Sequence, residues 1–429
     1  MRIVRFVFGI LTVFLFGVGA FAQTPDMRDQ DGRAYLQENI DRVAANYHGY
    51  EFHPLTYTPA PKGYKPFYIS HYGRHGSRSS SDEHYIHVRD VLKKAKEQDL
   101  LTPAGDTLLD VTLKMIEVYN GMEGRLTARG AREHRTIAQR MYKRFPAVFK
   151  KGNKKVRAIS SMVPRCIISM NAFTCGLTAM QPDLDISFDT GEVFQKYIAR
   201  GSGDKLKDKV KDYMKKNYKE KTPNTAYTLG KIFKDPEAAK KIIKHLNGFQ
   251  WAIFGVARNI EAFDLDYNLF GYLTFEDICN FHEKSRISAY LRQCNSEVFG
   301  DERMKRSKRL VDTMVCRANE VLEGKDVRVA DLIFGHDWPF LGLVSYIGLE
   351  GVGDRMSIEE AAVRWNGTAY TPFAANVQII FYRKGDSNKD VLVKFLLNEK
   401  ETAIPALTPV SGPYYRWSDV EKHLKRDFD

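Results

Sequence analysis

Cysteine is scarce: Cys166, Cys175, Cys279, Cys294 and Cys316 are spread over 429 residues and never form a C-x-x-C pair. That spacing excludes a cysteine-built zinc site and a small disulfide-stapled fold. The odd count leaves at least one thiol outside any internal bridge, and Cys166 and Cys175 are expected to pack as small apolar residues on a helix. Beyond the N-terminus, no apolar run approaches the ~18 residues that cross a bilayer. Gly201-Ser202-Gly203 and Gly351-Val352-Gly353 lack the flanks of a dinucleotide or Walker loop and read as turns. There is no arginine- and aromatic-interleaved RNA motif and no helix-turn-helix or zinc-finger spacing, so nucleic acid is not an expected partner. His84 and His87 lie three apart but have no distant further ligand, and no metal site is expected.

What is present begins with a charge surplus, 65 Lys and Arg against 53 Asp and Glu. The surplus favours anionic ligands, and by itself it does not choose among phosphate esters, nucleic acid and anionic lipid. At the N-terminus, Arg2 and Arg5 precede an apolar run over 6–19 and then Ala20-Phe21-Ala22. This is the pattern of an export signal over 1–22, cleaved after Ala22, with no cysteine behind it for a lipid anchor. The protein is therefore expected to be exported, periplasmic or secreted, and free of the membrane once the signal is removed.

Residues 23–66 read as a turn-rich lead-in punctuated by Pro54, Pro59, Pro61 and Pro66. A strand over 67–70 follows, then helical patterns over 85–98, 105–120 and 128–145, with Thr127 as an N-cap. Residues 156–160 alternate as a strand, and an apolar helix is predicted over 166–180. Between 192 and 326 charge-dense helical stretches dominate, notably 205–221, 231–245 and 281–318. A strand pattern resumes over 327–334, with a helix to follow over 341–349 and an antiparallel pair over 376–382 and 391–397. Strands alternating with helices predict an α/β fold, a mostly parallel central sheet flanked by helices. Its expected parts are 23–191 and 327–429, with 192–326 as a mainly helical insertion or cap.

Three strand ends carry the chemistry. The first is His71-Tyr72-Gly73-Arg74-His75-Gly76-Ser77, closed by Arg78; the second is Pro164-Arg165; the third is His336-Asp337. A neutral imidazole can attack phosphorus once guanidinium groups neutralise the phosphate oxygens, and ligands of parallel sheets bind at the strands' carboxyl ends. Only folding can unite segments so far apart. Glu133-His134, by contrast, reads as a solvated pair on the helix after Thr127.

These residues resemble the histidine acid phosphatase family, which contains phytases, acid phosphatases, glucose-1-phosphatases and multiple inositol polyphosphate phosphatases. Arg74-His75-Gly76-Ser77-Arg78 is similar to its R-H-G-x-R signature and His336-Asp337 to its H-D pair. Leu126-Thr127-Ala128-Arg129-Gly130 resembles its L-T-x-x-G helix start, Arg165 with Ser169 its second arginine-bearing helix, and 376–405 its closing hairpin. The resemblance implies that His75 is the nucleophile, that Arg74, Arg78, Arg165 and His336 hold the phosphate, and that Asp337 protonates the leaving group. It implies no metal or other cofactor, a small phosphate ester as substrate, inositol phosphates or sugar phosphates above all, and an acidic working pH because an aspartic acid must be protonated to act. Ser80 stands where many relatives have proline, and Trp338-Pro339 where phytases often have threonine and asparagine; the H-A-E of inositol polyphosphate phosphatases is absent. Trp338 is expected either to wall the leaving-group pocket or to pack in the core. Two other functions are open at this stage, a phosphoglycerate-mutase-type phosphotransferase and a non-catalytic polyanion-binding protein.

Overall fold

From Tyr68 onward the strand Tyr64–Arg74 (β1) is buried on both faces, as expected of a central strand covered by helices on each side. In the computed structural model, which describes residues 29–80, 83–119, 121–198, 205–385 and 387–427, this strand lies at the middle of an eight-stranded sheet. The others are Lys155–Ser160 (β2), Asp185–Asp189 (β3), Ala330–Gly335 (β4), Asn376–Lys384 (β5), Ser387–Leu397 (β6), Lys400–Thr402 (β7) and Tyr415–Arg416 (β8). The order is β3-β2-β4-β1-β5-β6-β7, with β8 paired to β6. The first four strands are parallel and bear the three chemical segments; β5 and β6 continue the sheet as the expected antiparallel pair, so the whole is mixed. Arg74 is opposite Gly335, and Ser160 is opposite Phe334. All three chemical strands thus end at one edge. The export pattern of 1–22 and Gly201-Ser202-Gly203 lie outside the described residues.

Period-two alternation sends Tyr68, Tyr72 and Ile333 to one face and Ile69, Leu332 and Phe334 to the other. The second face is covered by helices Ala128–Arg144 (α1) and Pro164–Thr178 (α2), which pack on each other. Thr127 caps α1 as expected, its Oγ1 accepting from the Gly130 amide at 3.2 Å. The first face is covered by Gly300–Leu322 (α3) and Asp337–Ile347 (α4). A separate apolar core joins helices His84–Glu97 and Pro103–Tyr119 to Leu246–Ala257. Composition draws boundaries at 192 and 327, whereas packing puts 84–119 with residues of the charge-dense segment and puts α3 against the sheet.

Other expectations are revised by local chemistry. The stretch 281–318 is two helices, Phe275–Gln293 and α3, because Cys294 turns extended. The stretch 231–245 holds the end of one helix, Thr225–Ile232, and a second, Pro236–Ile242, which opens where Asp235 accepts from the amides of Glu237 and Ala238. The edge strand β3 has largely exposed side chains and so no apolar signature. The lead-in is more than turns: it holds a helix, Asp29–Glu38, and a largely buried 3₁₀ segment, Ile40–Tyr47. Among the described residues no helix is long and apolar enough to cross a membrane.

Candidate active site

Arg74 is the last residue of β1, and the next peptide stays in the sheet, the His75 amide donating to Gly335 O at 2.9 Å. The chain then turns sharply against α1. A methyl group on Gly76 would lie 2.5 Å from Gly130 O, and one on Gly130 would lie 2.3 Å from Ser77 O. Both positions need glycine because two backbones touch there. The turn is fastened by Gly76 N donating to Ser169 Oγ (3.1 Å) and by Thr127, whose amide and Oγ1 both donate to Ser77 O (2.9 and 3.1 Å).

All six predicted residues converge here. His75 is buried, its ring centroid 5.7 Å from that of His336, within the electrostatic reach of Arg74, Arg165 and Arg78. Its Nδ1 lies 2.9 Å from Gly76 O, and a carbonyl accepts only, so Nδ1 carries the proton and Nε2 the lone pair. Burial first, then the three guanidinium charges, hold the ring well below the ordinary histidine pKa. Both effects favour the neutral imidazole over the protonated ring.

Each arginine is anchored by the protein. Arg74 Nη1 donates to Thr371 O at 2.8 Å and its guanidinium stands 4.7 Å over the Phe373 ring, while burial lowers its pKa to about 10. Arg78 donates to Ser79 O (2.8 Å) and to Tyr47 Oη (3.1 Å). Arg165, in the first turn of α2, donates to Gly124 O (3.2 Å) and faces His336 Nδ1 at 3.5 Å. The other nitrogen of His336 is 3.0 Å from Ser161 Oγ. Asp337 opens α4, where the helix dipole favours a carboxylate; Oδ2 lies 3.6 Å from Arg74 Nη2. Cys166, beside His336, is an inert thiol that burial pushes up to about 12; Cys175, expected to pack, is exposed.

A family model, the histidine phosphatase superfamily (branch 2), matches residues 73–398. The chain belongs to this family. It is accordingly a phosphomonoester hydrolase, with the fold of the histidine acid phosphatases. The multiple inositol polyphosphate phosphatase of Bifidobacterium longum, in complex with phosphate, superposes with a TM-score of 0.76 at 18% identity, over 90% of this chain and 98% of that one. The phytase of D. castellii gives 0.64 at 14% identity (90% and 85% covered), and Hafnia alvei phytase 0.51 at 14% (85% and 97%). At such identities the likeness is one of fold. A comparison with curated protein sequences finds no match.

Around the signature of this branch-2 phosphatase the structure also places residues that no motif marks. Glu133, expected to be solvated, is buried and accepts from the Ser77 amide (2.8 Å), Ser77 Oγ (2.6 Å) and the Tyr50 amide (3.2 Å). The available signal was its place on the buried stripe of α1, between Gly130 and Ile137. Asn259 accepts from the Ser80 amide (2.7 Å) and donates to Arg78 O (3.0 Å). A proline at 80 would lack that amide, so Ser80 is matched to Asn259. Trp338 is half-buried, with the Arg292 guanidinium 3.8 Å from its ring centroid. From the lead-in, Tyr47 supports Arg78, and Asn46 reaches Asp337.

Beneath His75 lie two more buried histidines, His71 and His134, in ring contact with Phe173 and Phe334. Burial lowers both to about 3. The folded state then binds fewer protons than the unfolded chain between pH 6.5 and 3, so stability falls as the pH drops below 6.5. The slope is up to about 1.4 kcal/mol per pH unit for each ring. His71→Leu is expected to flatten the acid side of a denaturant-unfolding series over pH 4–8; an unchanged slope would show that the ring does not titrate on unfolding.

Proposed function

We propose that the protein is an exported, metal-independent phosphatase that releases phosphate from inositol phosphates at acidic pH through a phosphohistidine. The observation that carries the mechanism is the His75 tautomer, a neutral ring with its lone pair on Nε2 among three guanidinium groups. In the first step the Nε2–P bond forms as the ester P–O bond breaks, and Asp337 gives its proton to the departing oxygen, which leaves as an alcohol. Arg74, Arg78, Arg165 and His336 hold the equatorial oxygens, whose charge they stabilise during in-line transfer. In the second step water attacks phosphorus, Asp337 takes a proton from it, and the N–P bond breaks to free phosphate. The arginines supply the positive charge that a metal supplies elsewhere.

Support for the substrate class comes from fold likeness to phytases and to a multiple inositol polyphosphate phosphatase that was also crystallised with inositol hexasulfate. The basic surplus suits a polyanion. Acid activity follows from two opposite requirements. His75 must be unprotonated, and its lowered pKa keeps it so well below 6.5; Asp337 must be protonated, which acid secures. Phosphate release should be measured from inositol hexakisphosphate, sugar phosphates and an aryl phosphate over pH 3–8, with and without chelator. The expected result is release fastest from the inositol ester, greatest in acid, and indifferent to chelator. Dependence on added metal, or isomerised product without free phosphate, would overturn the proposal.

A further inference from the structure

Ala45 has φ 53° and ψ −115°, a conformation that glycine adopts easily and alanine does not. Strain of this kind persists only where the surroundings enforce it, and here they do. Before it, Arg42 is tied to Glu38 and Glu51, and Val43 O lies 3.1 Å from His282 Nδ1. After it, the His48 ring is held between Glu261 (3.0 Å) and Glu51 (2.9 Å), and His48 O accepts from the Phe373 amide (2.8 Å). The strained residue sits between two fastened segments, and what it delivers is the next side chain. Asn46 Nδ2 donates to Asp337 Oδ2 at 3.0 Å, across 291 positions of sequence.

The carboxyl of Asp337 has two unequal oxygens. Oδ2 accepts from Asn46 Nδ2 and has the Arg74 guanidinium charge beside it, Nη2 at 3.6 Å, while Oδ1 accepts from the Trp338 amide at 3.1 Å. A protonated carboxyl oxygen is the poorer acceptor and would face the Arg74 charge, so both neighbours favour Oδ2 without the proton. We propose that Asn46 is a positioning residue for proton transfer, holding Oδ2 as the unprotonated oxygen so that the acid proton of Asp337 sits on Oδ1. This rests on the assignment of Asp337 as the proton donor made above. The titratable groups around this carboxyl include Arg74 and Tyr72 from β1, Cys166 from α2, its neighbour His336, and Arg303 of α3, bonded to Trp338 O. Tyr72 and Cys166 are kept neutral by burial, and Asn46 is a neutral donor to Oδ2 beside the Arg74 charge.

The function of Asn46 predicts a dependence on the leaving group. An alkyl phosphate needs the proton, whereas 4-nitrophenolate departs without it. Asn46→Ala is expected to lower kcat/KM for 2-glycerophosphate relative to 4-nitrophenyl phosphate by about tenfold, a fraction of what a general acid contributes. Loss of folded protein cancels in that ratio, because both substrates meet one preparation. Removing a donor to the ionised carboxylate raises its pKa, so the alkaline limb of the 2-glycerophosphate profile should move up by about half a unit or more. Asn46→Asp should move it further, since two carboxylates would share a proton. A ratio within about twofold of wild type together with an unmoved limb would overturn the inference, as would equal losses on both substrates. A phosphatase that still needs His75 yet shows that result refutes only the role of Asn46; turnover that survives loss of His75 refutes the phosphohistidine instead.

Discussion

His75→Ala is expected to lower kcat for phosphate release by at least about 10⁴-fold, the scale seen when a covalent nucleophile is deleted. It should leave phosphate binding largely in place. The reason is that the three arginines of the clamp have anchors of their own: Arg74 is fixed by Thr371 O and Phe373, Arg78 by Ser79 O and Tyr47, and Arg165 by Gly124 O. Removing a neutral ring from among three guanidinium groups leaves their field on a bound anion intact. Two measurements check this: steady-state release, and titration of inorganic phosphate by calorimetry. A variant with wild-type turnover would end the case for attack by His75, and one that binds no phosphate would show that the clamp needs the ring. Wild type mixed with labelled substrate and quenched in alkali should carry label on the protein; His75→Ala should carry none.

The conjunction of Arg74-His75, Arg165 and His336-Asp337 was legible because each belongs to its own strand end, and strand ends can be read from apolar runs and the turns that stop them. Parallel pairing of β1, β2 and β4 then brings the three ends together without further information. Glu133 was legible only by its place on the stripe of α1, because a Glu-His pair on a helix is polar by type; the amides of Ser77 and Tyr50 and the Ser77 hydroxyl, invisible as partners in sequence, make a buried carboxylate tolerable there. Asn46 and Tyr47 were hidden for another reason. They come from a segment whose prolines and polar residues read as a lead-in, and nothing local shows that it folds back 291 positions away onto Asp337. Asn259 shows the same limit from the other side. It lies in the charge-dense segment read as a cap, yet it bonds the two peptides that follow His75's signature. Local pattern locates elements; which elements then share a core is decided by contacts of long sequence separation.

Gly76→Ala tests the joint between the signature turn and α1. The added Cβ would meet Gly130 O at 2.5 Å, Gly130 Cα at 2.7 Å and Gly130 C at 2.8 Å, all backbone atoms with no rotamer to change. Neither side can yield cheaply: Ser77 is gripped by Glu133 and by Thr127, Gly76 by Ser169, and the start of α1 by its own cap. The turn must therefore move, and His75 with it. A displacement near 1 Å at a reacting atom costs about 10²-fold in rate, and overpacking of this kind costs about 1–3 kcal/mol in stability. The expected variant is folded, melts several degrees lower and has kcat reduced by about two orders of magnitude on every substrate. That uniform loss separates it from Asn46→Ala, whose effect depends on the leaving group. Gly230→Ala is the control, because a Cβ there meets nothing within 4 Å and the residue lies in a helix, Thr225–Ile232, where alanine is the better former. If Gly76→Ala kept wild-type kcat, the contact between the two glycine backbones would be dispensable for placing the nucleophile, and the precision of His75 would have to come from β1 alone.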